Sequence, residues 1–145
     1  SMGTTLTCLW VRDDQLHYSW VGDSRIYLIR SSDKTIKQLT NDHTLDRNKI
    51  DAALAPDLYR RAPSILTQKI GSILLIKPDS DRVQIAPGDI VLACTDGLSD
   101  KVSDELMLDY AIAFTHSLNE YGEKLLDRAL DCGGQDNISF ILARI

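Results

Sequence analysis

The sequence predicts an α+β domain, in which helices pack on a mostly antiparallel β-sheet. Three observations carry this. Short β-branched and aromatic runs, separated by Gly, Asp and Ser turns, fill the chain as far as Leu39. Two helix-compatible stretches with serine caps lie between Ser103 and Leu130. A last apolar run, Ile138–Ile145, closes the chain as a strand.

Taken in order, Leu6–Arg12 is the first strand and Asp13-Asp14 its turn. Leu16–Val21 follows, and the alternation in His17-Tyr18-Ser19-Trp20-Val21 gives it one buried and one more polar face. A short Gly22-Asp23-Ser24 turn leads into Arg25–Arg30, and the polar turn Ser31–Lys34 into Thr35–Leu39. Asn41–Leu58 is polar, with Leu45, Ile50, Ala53 and Leu54 at loosely helical spacing and with Pro56 and Pro63 as interruptions. It reads as a helix plus an irregular, mobile segment. Ile73–Ile76 and Arg82–Ile85 read as short strands. Pro87-Gly88-Asp89 turns into Ile90–Cys94, which has no polar residue and is therefore expected to be buried on both faces. Asp104–Phe114 starts behind Ser103 with acids in its first turn, which suits the helix dipole. Ser117-Leu118-Asn119-Glu120 is a capping-box pattern that opens a helix to about Leu130, and Gly133-Gly134 ends it.

The bulk properties bound the function. A chain of 145 residues fits one domain, taken as 3–145, with Ser1-Met2 reading as a cloning scar. The net charge of −5, without a basic cluster, argues against nucleic-acid binding. No apolar run approaches the roughly 20 residues of a membrane span, and no signal-peptide pattern precedes the first strand. The three cysteines, Cys8, Cys94 and Cys132, are too few and too widely spaced for a disulfide framework or a CxxC site. Cys8 and Cys94 lie in apolar runs and read as small buried residues, in keeping with a reducing, cytoplasmic setting.

Chemistry concentrates at strand ends. Asp96-Gly97 in ACTDGLSD and Asp136-Asn137 in GGQDNIS each place a carboxylate in a turn beside an apolar strand, and Asp23 does the same in Val21-Gly22-Asp23-Ser24-Arg25. Gly97 allows a turn without a Cβ, and Asn137 offers an Asx-type lock. Each motif alone is also ordinary turn chemistry. Together they are the oxygen ligands that a hard cation, Mg²⁺ or Mn²⁺, prefers. His43, behind Asn41-Asp42, invites a catalytic role, but the pattern is also a common helix start, and the second reading is preferred. His17 and His116 read as surface residues. Lys69 and Arg25 could meet a phosphate, although an exposed basic residue is the more ordinary case.

The motifs in series resemble a known family. They are Gly3-Thr4-Thr5, WVGDSRIYL (Trp20–Leu28), LTNDHT (Leu39–Thr44), LTQKIG (Leu66–Gly71), PGDIVLACTDGLSD (Pro87–Asp100) and GGQDNIS (Gly133–Ser139). In this order and spacing they resemble the metal-dependent serine/threonine protein phosphatases of type 2C, in their bacterial form. The resemblance implies a central β-sandwich with flanking helices. It implies that Asp96 and Asp136 match ligands of the dinuclear metal centre, and that Asp23 and Asp96 match ligands of a third, weaker ion. Asn41–Pro63 would be the variable flap.

The family pattern also has an earlier stretch that does not occur here: an Arg that holds the substrate phosphate, an Asn-Glu-Asp motif, and an Asp-Gly-x-x-Gly-His motif whose Asp bridges the metals. The chain thus resembles the C-terminal part of the domain, with the N-terminal portion missing. Two cations about 4 Å apart repel strongly, and a bridging carboxylate offsets that repulsion. Without the bridge one weakly held ion is the most to expect.

The implied activity of the parent protein is hydrolysis of phosphoserine and phosphothreonine in protein substrates. A water activated by Mg²⁺ or Mn²⁺ would attack phosphorus in line, without a covalent phosphoenzyme. The partner would be a phosphoprotein, with the phosphatase counteracting a serine/threonine kinase. The alternative is a non-catalytic module of the same fold, used for binding or regulation. Strands stripped of neighbours would also favour self-association.

Overall fold

The computed structural model describes residues 2–71 and 75–145. Its strands form two antiparallel sheets. In the first, β1 (Leu6–Arg12) pairs with β2 (Gln15–Val21) around a turn in which Asp13 takes φ 54°. The Gly22-Asp23-Ser24 turn then carries the chain into the other sheet, where β3 (Arg25–Arg30) pairs with β4 (Thr35–Gln38). After a long excursion, β5 (Asp79–Gln84) returns to pair with β2, giving the order β1-β2-β5. The second sheet is completed by β6 (Ile90–Cys94) and the terminal β7 (Phe140–Arg144), in the order β4-β3-β6-β7.

The sheets face each other through Leu16, Tyr18 and Trp20 of β2, Ile26 and Leu28 of β3, and Val91 and Ala93 of β6. The opposite face of the second sheet carries Tyr27, Ile29, Ile90, Leu92 and Cys94. Helices cover that face: the one-turn α2 (Asp96–Ser99), α3 (Asp104–Ala113) and α4 (Leu118–Asp131), through Leu98, Met107, Ala111, Tyr121, Leu125 and Ala129. The residues of β6 alternate between these two cores, which is why the strand has no polar residue although its sheet is antiparallel. The caps act as the sequence predicts. Ser103 accepts from the Leu106 amide, Ser117 accepts from the Glu120 amide, and Gly133 leaves the end of α4 at φ +115°.

Several expectations are corrected. The stretch Asn41–Leu58 is not helical before Pro56, apart from a short 3₁₀ turn. The backbone of His43 and Leu45 bonds outward, to the carbonyls of Gly22 and Ile65, and a 3₁₀ turn follows at Arg47–Lys49. The helix α1 (Pro56–Arg61) starts at Pro56, which was expected to break one; a first-turn proline loses no needed N–H. The strand expected at Arg82 begins at Asp79, because β2 pairs along its length from Gln15↔Gln84 to Trp20↔Asp79 and recruits polar residues. Of the strand expected at Ile73–Ile76, Ile73 and Leu74 lie outside the described residues, and Leu75 and Ile76 take no strand structure. Cys94 is buried as expected, but Cys8 is exposed, because β1 is an edge strand with a bare outer face.

The cover is therefore unequal. Trp10 on β1 is 60% exposed and Ile141 on β7 is 68% exposed. A crevice of about 200 Å³ opens between the sheets at that side, lined by Thr7, Ala93, Phe140 and Ile141 among others. No helix among the described residues is long and apolar enough to cross a membrane.

Candidate functional site

The three predicted aspartates stand on three separate turns. Gly22 takes φ +107°, and a Cβ there would fall 2.3 Å from Thr5 Cγ2, so the turn before Asp23 admits only glycine. On the other side of Asp23, the Ser24 and Thr5 hydroxyls are hydrogen-bonded at 2.7 Å. Asp23 is thus displayed, half-buried, where the chain passes from one sheet to the other.

Asp96 is the first residue of α2, directly after β6, and its Oδ1 accepts from the Gly97 amide at 2.9 Å. Asp136 Oδ1 accepts from the Asn137 amide at 2.7 Å, so the aspartate ties this turn itself. The two loops are stitched together by Thr95. Its hydroxyl donates to the Asn137 carbonyl at 3.1 Å and accepts from the Ser139 amide at 3.1 Å, and its own amide donates to the Ser139 carbonyl at 2.9 Å.

Two adjoining clefts share Asp96 and Asp100. One, of about 140 Å³, also has Asp23, Arg25, Asp42 and Thr44 in its walls. The other, of about 170 Å³, has Asp136, Gln135 and Lys101. Burial raises the pKa of Asp96, and the charges of Asp136 and Asp100 add to the shift. Burial likewise raises that of Asp23, followed by the charges of Asp96, Asp42 and Asp100. These carboxylates repel one another, and Arg25 does not relieve them. Arg25 spends its guanidinium on Asp42, with Nε 3.1 Å from both carboxylate oxygens and Nη2 at 2.7 Å, while Nη1 reaches the Tyr27 hydroxyl at 3.3 Å. That pairing, with Asp42 as the main cause, raises the arginine's pKa further.

The donor set is chemically suited to a hard cation: oxygen ligands only, crowded by like charge, open to solvent. Yet among the described residues no group of three or more His, Cys, Asp or Glu side chains converges closely enough to hold a metal. The clefts bring Asp23 and Asp96 to one space, and Asp96 and Asp136 to the next. Among the described residues the carboxylates thus meet in pairs, with Asp96 common to both clefts.

Lys69 lies against Gly3 and is not among the residues lining either carboxylate cleft. His116 is exposed, and His17 is half-buried beside Trp10, with ring centroids 5.6 Å apart. His43 is in no helix and Asp42 caps none, which corrects the expectation of a helix start. Sequence reasoning did not single out Asp100 or Asp42. The spacing of Asp96 and Asp100, four residues apart across one helical turn, was a usable signal for the first. The second had none, because its partner Arg25 is distant in sequence.

Comparison with known proteins bears on the family and the fold. A family model, Protein phosphatase 2C, matches residues 1–132. The chain is 38% identical over 144 residues to protein phosphatase PhpP of Streptococcus pneumoniae, covering 97% of this chain and 57% of that protein. The crystal structure of the Mycobacterium tuberculosis serine/threonine phosphatase PstP/Ppp superposes with a TM-score of 0.81 at 31% identity, over 99% of this chain and 60% of that one. The catalytic domain of PstP in complex with 2 manganese ions superposes with a TM-score of 0.73 at 31% identity, over 98% of this chain and 58% of that one. The chain thus spans a little over half the length of the pneumococcal phosphatase. A family match over most of its residues, on a shared fold, shows that the chain belongs to the protein phosphatase 2C family.

Proposed function

We propose that this chain is the part of a Mg²⁺- or Mn²⁺-dependent phosphoprotein phosphatase that presents Asp23, Asp96 and Asp136 to metal. The observation that supports this most is the position of Asp96, which faces Asp23 across one cleft and Asp136 across the next. The substrate class is phosphoserine and phosphothreonine in proteins, and the biological counterpart is a serine/threonine kinase. When bound, a divalent cation supplies Lewis-acid charge to the attacking water and the phosphoryl oxygens.

The chain's own residues have distinct tasks in this reading. The Gly97 amide orients the Asp96 carboxylate, and Thr95 keeps the Asp136 loop in register with it. Asp23 adds negative charge from the sheet-to-sheet turn. Arg25 is bound to Asp42 and so is not free to hold phosphate. The phosphate-binding and metal-bridging groups of the family pattern are not found in this chain. The chain alone is therefore expected to be essentially inactive.

The second reading, a non-catalytic module, draws on the lack of three converging ligands among the described residues. Turnover of p-nitrophenyl phosphate and of a phosphothreonine peptide with Mn²⁺ separates the two. The enzyme reading expects metal-dependent turnover by the full-length protein, lost in Asp96→Asn and Asp136→Asn and reduced less in Asp23→Asn. Full-length protein without turnover would favour the module. Turnover by this chain alone at the full-length rate would refute the partial-site account.

A further inference from the structure

We propose that His43 is a positioning residue for Asp23, and that its imidazole fixes the turn which aims that carboxylate into the cleft. This rests on the reading of Asp23 as a metal ligand.

The contacts form a two-way clasp. The Gly22 amide donates to His43 Nδ1 at 3.1 Å, and the His43 amide donates to the Gly22 carbonyl at 3.0 Å. Both backbone groups of the residue before Asp23 are thus held by one residue. A backbone N–H can only donate, so Nδ1 carries the lone pair and the ring proton sits on Nε2. That nitrogen donates to Asp79 Oδ2 at 3.2 Å. The ring is 8% exposed and stacks on Trp20 with centroids 6.0 Å apart. Trp20 is itself anchored, its indole N–H donating to the Asn41 carbonyl at 2.9 Å. Strand β5, the indole and the loop therefore leave the imidazole one orientation.

The neighbouring residue completes the device. Asp42 grips Arg25, two positions after Asp23, while His43 grips Gly22, one position before it. Adjacent residues of one loop hold both flanks of the turn. Thr5 closes the remaining side, against Gly22 and Ser24. The carboxylate is placed before any ligand arrives, as outer-shell groups do in metal sites. A packing role alone would be met by any ring of the same size. The clasp needs an acceptor at the Nδ1 position. Asparagine can offer one there, phenylalanine cannot, and glutamine places its acceptor further out, near Nε2.

The test compares wild type, His43→Asn, His43→Gln and His43→Phe in isotopically labelled chain. Two readouts are followed: hydrogen exchange at the Gly22 amide, and the concentration of Mn²⁺ that broadens the Asp23 signals. Gly22 exchange is expected to rise about ten-fold or more in His43→Phe and His43→Gln, and the required Mn²⁺ to rise about ten-fold, with His43→Asn near wild type. If His43→Phe does not fold, the contrast between Asn and Gln carries the test. Equal Gly22 protection and equal Mn²⁺ dependence in Asn and Gln variants would overturn the inference. If Mn²⁺ leaves Asp23 unaffected in every form while Gly22 protection still follows residue 43, the clasp stands and the metal reading of Asp23 falls.

Discussion

Gly97 lies so close to Asn137 that a Cβ on the glycine would sit 2.4 Å from the asparagine's carbonyl oxygen. The backbone of the Asp96 loop therefore rests directly on the backbone of the Asp136 loop. No flexible side chain separates them, so the contact cannot yield without moving one of the two aspartates.

Gly97→Ala should push the two loops apart. Overpacking of this kind costs about 1–3 kcal/mol, visible as a lower midpoint in urea. Mn²⁺ affinity of the full-length protein should fall with it. Unchanged stability and affinity would mean that the loops are not held at a fixed separation.

The crowded carboxylates give a pH dependence of definite sign. Asp23 and Asp96 bind protons more tightly folded than unfolded, because burial and neighbouring acids raise their pKa from 3.8. Their protonation favours the fold, and that contribution is complete below 3.8 and lost as pH rises through the raised values. With metal chelated, Asp23→Asn and Asp96→Asn should each melt above wild type at about pH 7, and the gap should close by about pH 4. Saturating Mn²⁺ should reverse the order at neutral pH. Variants that melt below wild type in chelator would contradict the repulsion.

Arg25 and Asp42 form a pair only 24% and 22% exposed. Removing one partner leaves a charge with little solvent. Arg25→Leu is expected to cost about 2 kcal/mol, less than for a fully buried pair because both groups keep some water. The double variant Arg25→Leu with Asp42→Leu should recover much of that loss. A double-mutant cycle on chemical denaturation measures the coupling, and a value near zero would show the pair to be incidental.

The bare edges predict self-association. Strand β1 exposes Leu6, Leu9, Trp10 and Val11, and among the described residues one side of its ladder has no neighbouring strand. Such strands pair with other chains unless charge or proline protects them. Light scattering coupled to size exclusion should show oligomers that dissociate on dilution, and Val11→Lys should weaken them. A sharp monomer at high concentration would rule this out.

How far the sequence could be read follows from which forces are local. The strands β1 to β4 and β6 were legible because their apolar, aromatic or alternating runs, and the Gly- and Asp-containing turns between them, are written in contiguous residues. Helices α3 and α4 were legible because Ser103 and Ser117 announce them. The segment around Asn41–Leu58 was not. Its spacing is helical, but its backbone bonds are taken by Gly22 and Ile65. Asp79–Asp81 lacks strand propensity and is drawn into β5 by the length of β2. Cys8 has the composition of a core residue, yet whether an edge strand is covered depends on what packs over it. For the site, Asp23, Asp96 and Asp136 were visible as acidic turns at strand ends. The role of His43 was hidden, because its acceptor atom matters only beside Gly22, and that contact exists only in three dimensions.

Cys94 belongs to the strand that faces both cores, and burial pushes its thiol pKa up to about 12. Thiolate is the reactive form, so this sulfur is silent toward alkylating reagents while the helix-covered sheet stays closed. Cys8 and Cys132 lie at the surface and have no such shield. The chain thus carries its own clock: two thiols that record the moment of mixing, and a third that records when the core opens.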